Sequence, residues 1–242
     1  MTSPMSGPMS AKAASSDAEA AARLVTGREL PPTVARCIAY AVMSDLLASP
    51  HDVESVVYNT TDPIDLSGLP YEVPGLQALI DDYRKMPLID LKRAYSAMFE
   101  VGSDGPPVPI REDLQLGQKS GVREELVRFF DFFGYALSEK FAWAPDHLSV
   151  ELEFTQFLAV SEAEALDQLA NGEAVAIDVA SFQLGQFDFL ERHLINWVPI
   201  LLQAVEKQNS DSFYCRVVTV LRDFLAADFA WQSETISTSG PI

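Results

Sequence analysis

Apolar residues recur at three- and four-residue steps along most of this chain, from Val34 to Phe229. That spacing lines one face of an α-helix, whereas a half-buried strand alternates every second residue. Val34, Ile38, Ala41, Val42 and Leu46 form the first stripe, opened by Pro31 and Pro32 in a first helical turn and stopped near Ser49-Pro50. Two helices are predicted over about residues 76–85 and 88–99, separated at Met86-Pro87 because proline has no N–H to donate. Val122, Leu126, Phe129, Phe130, Phe133 and Leu137 make a further stripe, opposite Glu124, Arg128, Asp131 and Glu139. Another helix follows Asp146, a good N-cap residue, and carries Leu148, Leu152, Phe154 and Leu158. The segment 187–205 is predicted as helix with a kink at Pro199, and the last helix spans 213–231. Ser55–Tyr58 and Ala174–Ile177 suit extended chain but are too few to build a sheet. The expected fold is an all-α, single-domain helical bundle of about seven to nine helices. Its expected domain covers residues 30–232, with flexible tails over 1–29 and 233–242.

The charge balance narrows the partners. With 17 basic and 35 acidic residues, the net charge is -18. Such a chain repels phosphate backbones and anionic lipid surfaces, so its natural charged partner is cationic. Hydrophobic residues at 48% supply a sizeable core. Cys37 and Cys215 both stand among apolar helical residues and are expected to be buried, reduced thiols. Reduced cysteines suit the cytoplasm. No apolar run is long enough for a membrane span, and the N-terminus has neither a basic start nor an apolar targeting core. A cytoplasmic location is therefore expected.

Chemistry-bearing motifs are few. There is no G-x-G-x-x-G, no phosphate loop, no G-x-S-x-G and no H-E-x-x-H. Ala48, Ala144 and Leu190 stand three places before His51, His147 and His193, so no Glu-x-x-His metal pair exists. No metal or cofactor is predicted.

Two stretches stand out. The first is Tyr95-Ser-Ala-Met-Phe99 with the loop that follows, residues 101–121, which holds four glycines and three prolines. A loop of that length inside a compact domain points to function. The second is Trp143-Ala-Pro-Asp146-His147, with Glu151 four residues beyond His147 and hence on the same helix face. Asp146 and His147 lie at a helix start, where backbone N–H groups await partners.

These motifs carry a resemblance. Tyr95-x-x-Met98-Phe99 is similar to the Y-x-x-L-F motif of the redox-enzyme maturation chaperones, the family of the trimethylamine oxide, dimethyl sulfoxide and nitrate reductase chaperones. Pro145-Asp146-His147 followed by Glu151-x-x-Phe154 resembles the family's second signature, E-P-D-H before a helix, with Ala144 in place of the glutamate. The likeness spans roughly residues 34–230 and looks closest to the delta-type chaperones of dimethylsulfide, ethylbenzene, selenate or chlorate molybdoenzymes.

The resemblance implies an all-helical protein without catalytic activity. Such a protein binds the twin-arginine leader or N-terminus of a molybdoenzyme's catalytic subunit and holds the apoprotein until molybdenum cofactor is inserted. Carboxylates suit the leader's guanidinium groups and an aromatic groove suits its apolar stretch. The candidate peptide-binding residues are therefore Asp146, His147 and Glu151 as the polar end and Tyr95, Phe99 and Trp143 as the apolar wall. The loop from Pro106 and Pro107 to Arg111 and Glu112 is expected to act as a lid. On this reading, Asp146→Asn weakens client binding and leaves stability nearly unchanged. The competing reading is a helical enzyme using His147 with Asp146 or Glu151 as an acid–base pair. Either a monomer or a helix-exchanged dimer is compatible with a bundle of this kind.

Overall fold

The computed structural model describes residues 30–103, 105–118, 120–137 and 144–237. Among these residues the fold is all-α and contains no strand, only an isolated antiparallel bridge between Arg111 and His147. We number the helices α1 (Leu30–Leu47), α2 (Val56–Asn59), α3 (Leu76–Lys85), α4 (Leu88–Phe99), α5 (Glu112–Gln115), α6 (Val122–Phe133), α7 (Leu148–Ala170), α8 (Val179–Phe189), α9 (Ile195–Asn209) and α10 (Phe213–Ser237). A π-turn, Leu190–Leu194, joins α8 to α9. No described helix is long and apolar enough to cross a membrane. Trp143 and residues 1–29 lie outside the described residues.

Local chemistry sets the element ends. Met86 is held in extended backbone by the following Pro87, and α3 stops there. Helix α6 ends in a Schellman turn. Gly134 takes a left-handed φ of 72°, its N–H reaches the Asp131 carbonyl, and the Tyr135 N–H reaches the Phe130 carbonyl at 2.8 Å. The rings of Phe130 and Tyr135 close the turn at 5.1 Å, so the apolar stripe predicted to reach Leu137 leaves the helix four residues early. Ser55–Tyr58 is not extended: the Ser55 side chain caps a single helical turn by accepting from the Tyr58 N–H. At the C-terminus, α10 continues past Trp231 to Ser237.

The kink expected at Pro199 takes another form. Pro199 has no N–H for the carbonyl one turn back. The helix widens just upstream, where the Asn196 side chain donates to the Glu191 and Arg192 carbonyls at 2.7 and 3.0 Å. One predicted helix thus becomes three segments.

Helices α1 and α7 form the most extensive pair, with α8, α9 and α10 packed around them. Tyr40, Met43, Phe154, Phe189, Trp197 and Phe224 are buried in the common core. Cys37 and Cys215 are buried free thiols.

A cation stands inside this core. Arg36 on α1 is fully buried. It clasps Asp228 of α10 with two hydrogen bonds, at 2.5 and 3.0 Å, and donates to Gln186 of α8 at 2.8 Å. Glu162 of α7 stands 3.6 Å from its other terminal nitrogen, and Gln183 and Gln186 both donate to Glu162. Tyr40, Tyr71 and Gln232 donate to Asp228 as well. Burial alone would raise the Asp228 carboxyl, but the charge and hydrogen bonds of Arg36 hold it below the usual carboxylate range. Removing one member of such a group leaves uncompensated charge in the interior. Arg36→Ala is expected to cost about 3–5 kcal/mol of stability, read from the urea midpoint; a loss below about 1 kcal/mol would contradict this account.

Candidate functional site

The long loop is pinned at its centre. The Val108 N–H donates to the Met98 carbonyl at 3.0 Å, at the end of α4. Val108 and Ile110 are buried. Arg111 then pairs with His147 as a short antiparallel bridge, with Glu112 N–H on the Asp146 carbonyl and Leu148 N–H on the Ile110 carbonyl. The turn α5 follows, with the Gln115 side chain donating to the Pro109 carbonyl at 2.6 Å. Pro106 is exposed and Pro107 half-buried, while Glu112 is only 1% exposed. The lid expected over Pro106–Glu112 is therefore free only at its start; apolar burial and the backbone bridge hold the rest.

Asp146 does not cap α7; His147 does. The His147 Nδ1 accepts from the Ser149 N–H at 3.3 Å, which leaves the ring proton on Nε2. Burial lowers this imidazole to about 4 despite the Asp146 charge beside it, so the ring is neutral at pH 7.

Asp146 instead anchors the loop. Its carboxylate is fully buried and accepts from Arg111 at 2.8 and 3.3 Å, with Arg123 of α6 at 3.3 Å. Arg123 also meets Asp113 at 3.1 Å. Two arginines thus face two carboxylates. Burial would raise Asp146, but the Arg111 hydrogen bonds and charge hold it below the usual range. Burial, then the neighbouring Asp146, push Asp113 up to about 6. The expectation that Asp146 waits for a client's arginine is corrected: arginines of this chain already occupy both of its oxygens.

A second group lies deeper. His193, inside the π-turn, shares a 2.9 Å hydrogen bond with Glu112 of α5. Trp197 of α9 donates to Glu151 of α7 at 3.0 Å. Burial, and next the Glu112 charge, push the Glu151 carboxyl well above its ordinary value. Its Oε1 has no hydrogen-bond partner among the described residues. His147 and Glu151 share a helix but not a partner, since the ring turns to Ser149 and the carboxyl to Trp197.

Tyr95 and Phe99 are core residues, 1% and 4% exposed, which corrects their assignment to an open wall. Their rings pack 5.1 Å apart and both lie against Tyr214 of α10. Trp143 lies outside the described residues. The structure adds Asp113, Arg123, His193 and Trp197, which sequence reasoning did not single out. The four-residue step from His193 to Trp197 was the available signal for two of them; nothing in the sequence ties Asp113 to Arg123.

Two outcomes follow from these contacts. Asp146→Asn leaves Arg111 and Arg123 facing a neutral amide, so it is expected to cost about 2–3 kcal/mol and to speed proteolysis of the 105–118 loop. An unchanged melting curve and cleavage rate would return Asp146 to the client-facing role. For Glu151 the sign is opposite. A carboxyl raised above its unfolded value favours folding only while protonated, so its contribution is complete below the unfolded pKa and is lost as pH rises towards the folded one. Glu151→Gln keeps an acceptor for the Trp197 N–H and does not titrate. Its melting temperature should exceed that of the wild type by a margin that widens from pH 5 to pH 8; a constant difference refutes the assignment.

Comparison with known proteins covers most of this region. Residues 65–203 match the family described as nitrate reductase delta subunit. The chain is 34% identical over 140 residues to the selenate reductase assembly chaperone protein of Thauera selenatis, covering 57% of this chain and 67% of that protein. It is 34% identical over 118 residues to the chlorate reductase assembly chaperone protein of Ideonella dechloratans, covering 48% and 58%. The chaperone protein TorD of Vibrio parahaemolyticus is 27% identical over 108 residues, covering 45% and 46%. The chain thus spans between about half and two thirds of the length of these relatives. A match that runs from before α3 into α9, with every element that builds the loop anchor, makes this chain a member of the nitrate reductase delta subunit family.

Proposed function

We propose that this chain is a system-specific assembly chaperone, without catalytic activity of its own, for a molybdenum enzyme. On this reading it binds the twin-arginine leader or N-terminus of the catalytic subunit. It holds that apoprotein while molybdenum cofactor is inserted, on the cytoplasmic side and before export. The observation that carries the reading is the family match across the loop anchor, together with relatives named as assembly chaperones of selenate and chlorate reductases. The net charge of -18 favours a partner that leads with arginines.

The site divides into two roles. Pro106, Pro107 and the partly exposed Arg111 offer the loop edge that a client can touch. Glu112, Asp146, His147 and Glu151 set that edge in place from below. The acid–base reading has no support in the geometry: His147 is neutral and engaged as a cap, the Asp146 oxygens are taken by arginine, and Glu151 faces Trp197.

Fluorescence anisotropy tests the proposal. The probe is a labelled synthetic peptide with paired arginines before an apolar stretch of about 12–15 residues. Replacing both arginines by glutamine is expected to weaken binding at least about fivefold at low salt, with the gap shrinking as salt is raised. Equal affinity for the two peptides, or no binding of either, would refute the proposal.

A further inference from the structure

Helices α6 and α8 run antiparallel, because Glu125 meets Arg192, Phe129 meets Phe189 and Phe133 meets Phe182. Between them lies an open groove of about 880 Å³. Its floor is close-packed at Gly185, where a Cβ would come 2.3 Å from the Phe133 ring. A side chain there would force the ring aside and fill the groove from below.

The two ends of the groove differ. At one end Phe132 is 74% exposed and Leu184 39% exposed, beside Phe133. A phenylalanine this bare on a helix face is a hydrophobic surface without a cover. The other half carries three acids, Glu125, Asp188 and Glu191, against two arginines, Arg128 and Arg192. Arg192 is committed: it pairs with Glu125 and Asp188 and lies over the Phe129 ring. Glu191 has no ion-pair partner among the described residues. Arg128 stands beside Phe129, level with Asp188, and uses its Nε on the Glu124 carbonyl, so the acids still outnumber the arginines in this half. The complement of this surface is a peptide with an apolar run at one end and positive charge at the other.

We infer that the groove between α6 and α8 seats the apolar stretch of a client leader as a short helix, with the leader's arginines at the Glu191 end. This rests on the chaperone reading and adds a location, a conformation and a direction to it. Twelve residues in α6 and eleven in α8 give a groove of about 16–18 Å, or roughly three turns of a bound helix. A helix lying in such a groove offers side chains at i, i+3, i+4 and i+7 to the aromatic wall. The charged end adjoins the loop anchor: α6 begins at Val122 just beyond the loop, with Arg123 on Asp146 and Glu125 one step further. Phe129 also backs onto His193, so the groove and the buried Glu112 contact share a wall.

The same labelled peptide, titrated into wild-type protein, F132D and E191K, tests this. Both side chains are exposed, so melting temperatures should stay within about 2 °C of wild type. F132D is expected to weaken binding about tenfold or more, as loss of an aromatic anchor does. E191K is expected to weaken the arginine peptide about threefold and to leave the glutamine-substituted peptide unaffected. Wild-type affinity in F132D overturns the placement while the chaperone reading stands. Absence of binding to the wild type overturns both. A wild-type dimer that F132D splits, with peptide affinity unchanged, gives the groove to a second copy and overturns the placement as well.

Discussion

A buried guanidinium tolerates few arrangements, and the bundle is organised around one. Arg36 leaves water entirely, which is tolerable only with opposite charge and hydrogen-bond acceptors at hand. Asp228 supplies the charge, Glu162 a second carboxylate, and Gln186 a neutral acceptor, from three further helices. Apolar packing alone lets helices slide by a turn at modest cost. A two-pronged Arg–Asp contact does not, because both prongs fail together. The first described helix and the last are thereby fixed to each other and to α7 and α8 between them.

The second polar region follows a different rule. Around Asp146, charge is matched locally and at the edge of the protein: two arginines meet two carboxylates, and Arg123 remains 42% exposed. Around Glu151, charge is disfavoured, since burial and then the Glu112 charge raise the carboxyl well above its ordinary value. The loop sits between these two regimes. One side of α5 sends Glu112 inward to His193, and the other sends Asp113 outward to Arg123. Neighbouring residues in sequence thus tie one segment to the interior and to α6 at once.

The sequence made the helices legible because their signal is local. The stripe in α6, the break at Met86-Pro87 and the all-α class all depend on residues within a turn or two of each other. The site was legible only as residue types. Tyr95 and Phe99 sit at helical spacing, and that spacing suits a core as well as a groove; which one holds depends on Tyr214, more than a hundred positions away. Asp146 stands at a helix start, yet its role is decided by Arg111 and Arg123. The capping contact is made by His147, while the Asp146 carboxylate turns to Arg111 and the Asp113 N–H. The widened turn before Pro199 was half visible, since a proline in a helix announces a disturbance but not where the backbone absorbs it.

The π-turn at Leu190–Leu194 sets a phase between the helices on either side of it. An α-helix advances about 100° per residue, so a wide turn holding one extra residue offsets everything downstream by about that angle. Deleting a single residue there would restore an unbroken helix and swing the faces of α9 around its axis. Trp197 would leave Glu151, and His193, if kept, would leave Glu112. Length therefore matters more than composition at this point of the chain: a substitution in the turn perturbs one contact, whereas a deletion uncouples the second half of the bundle from the first.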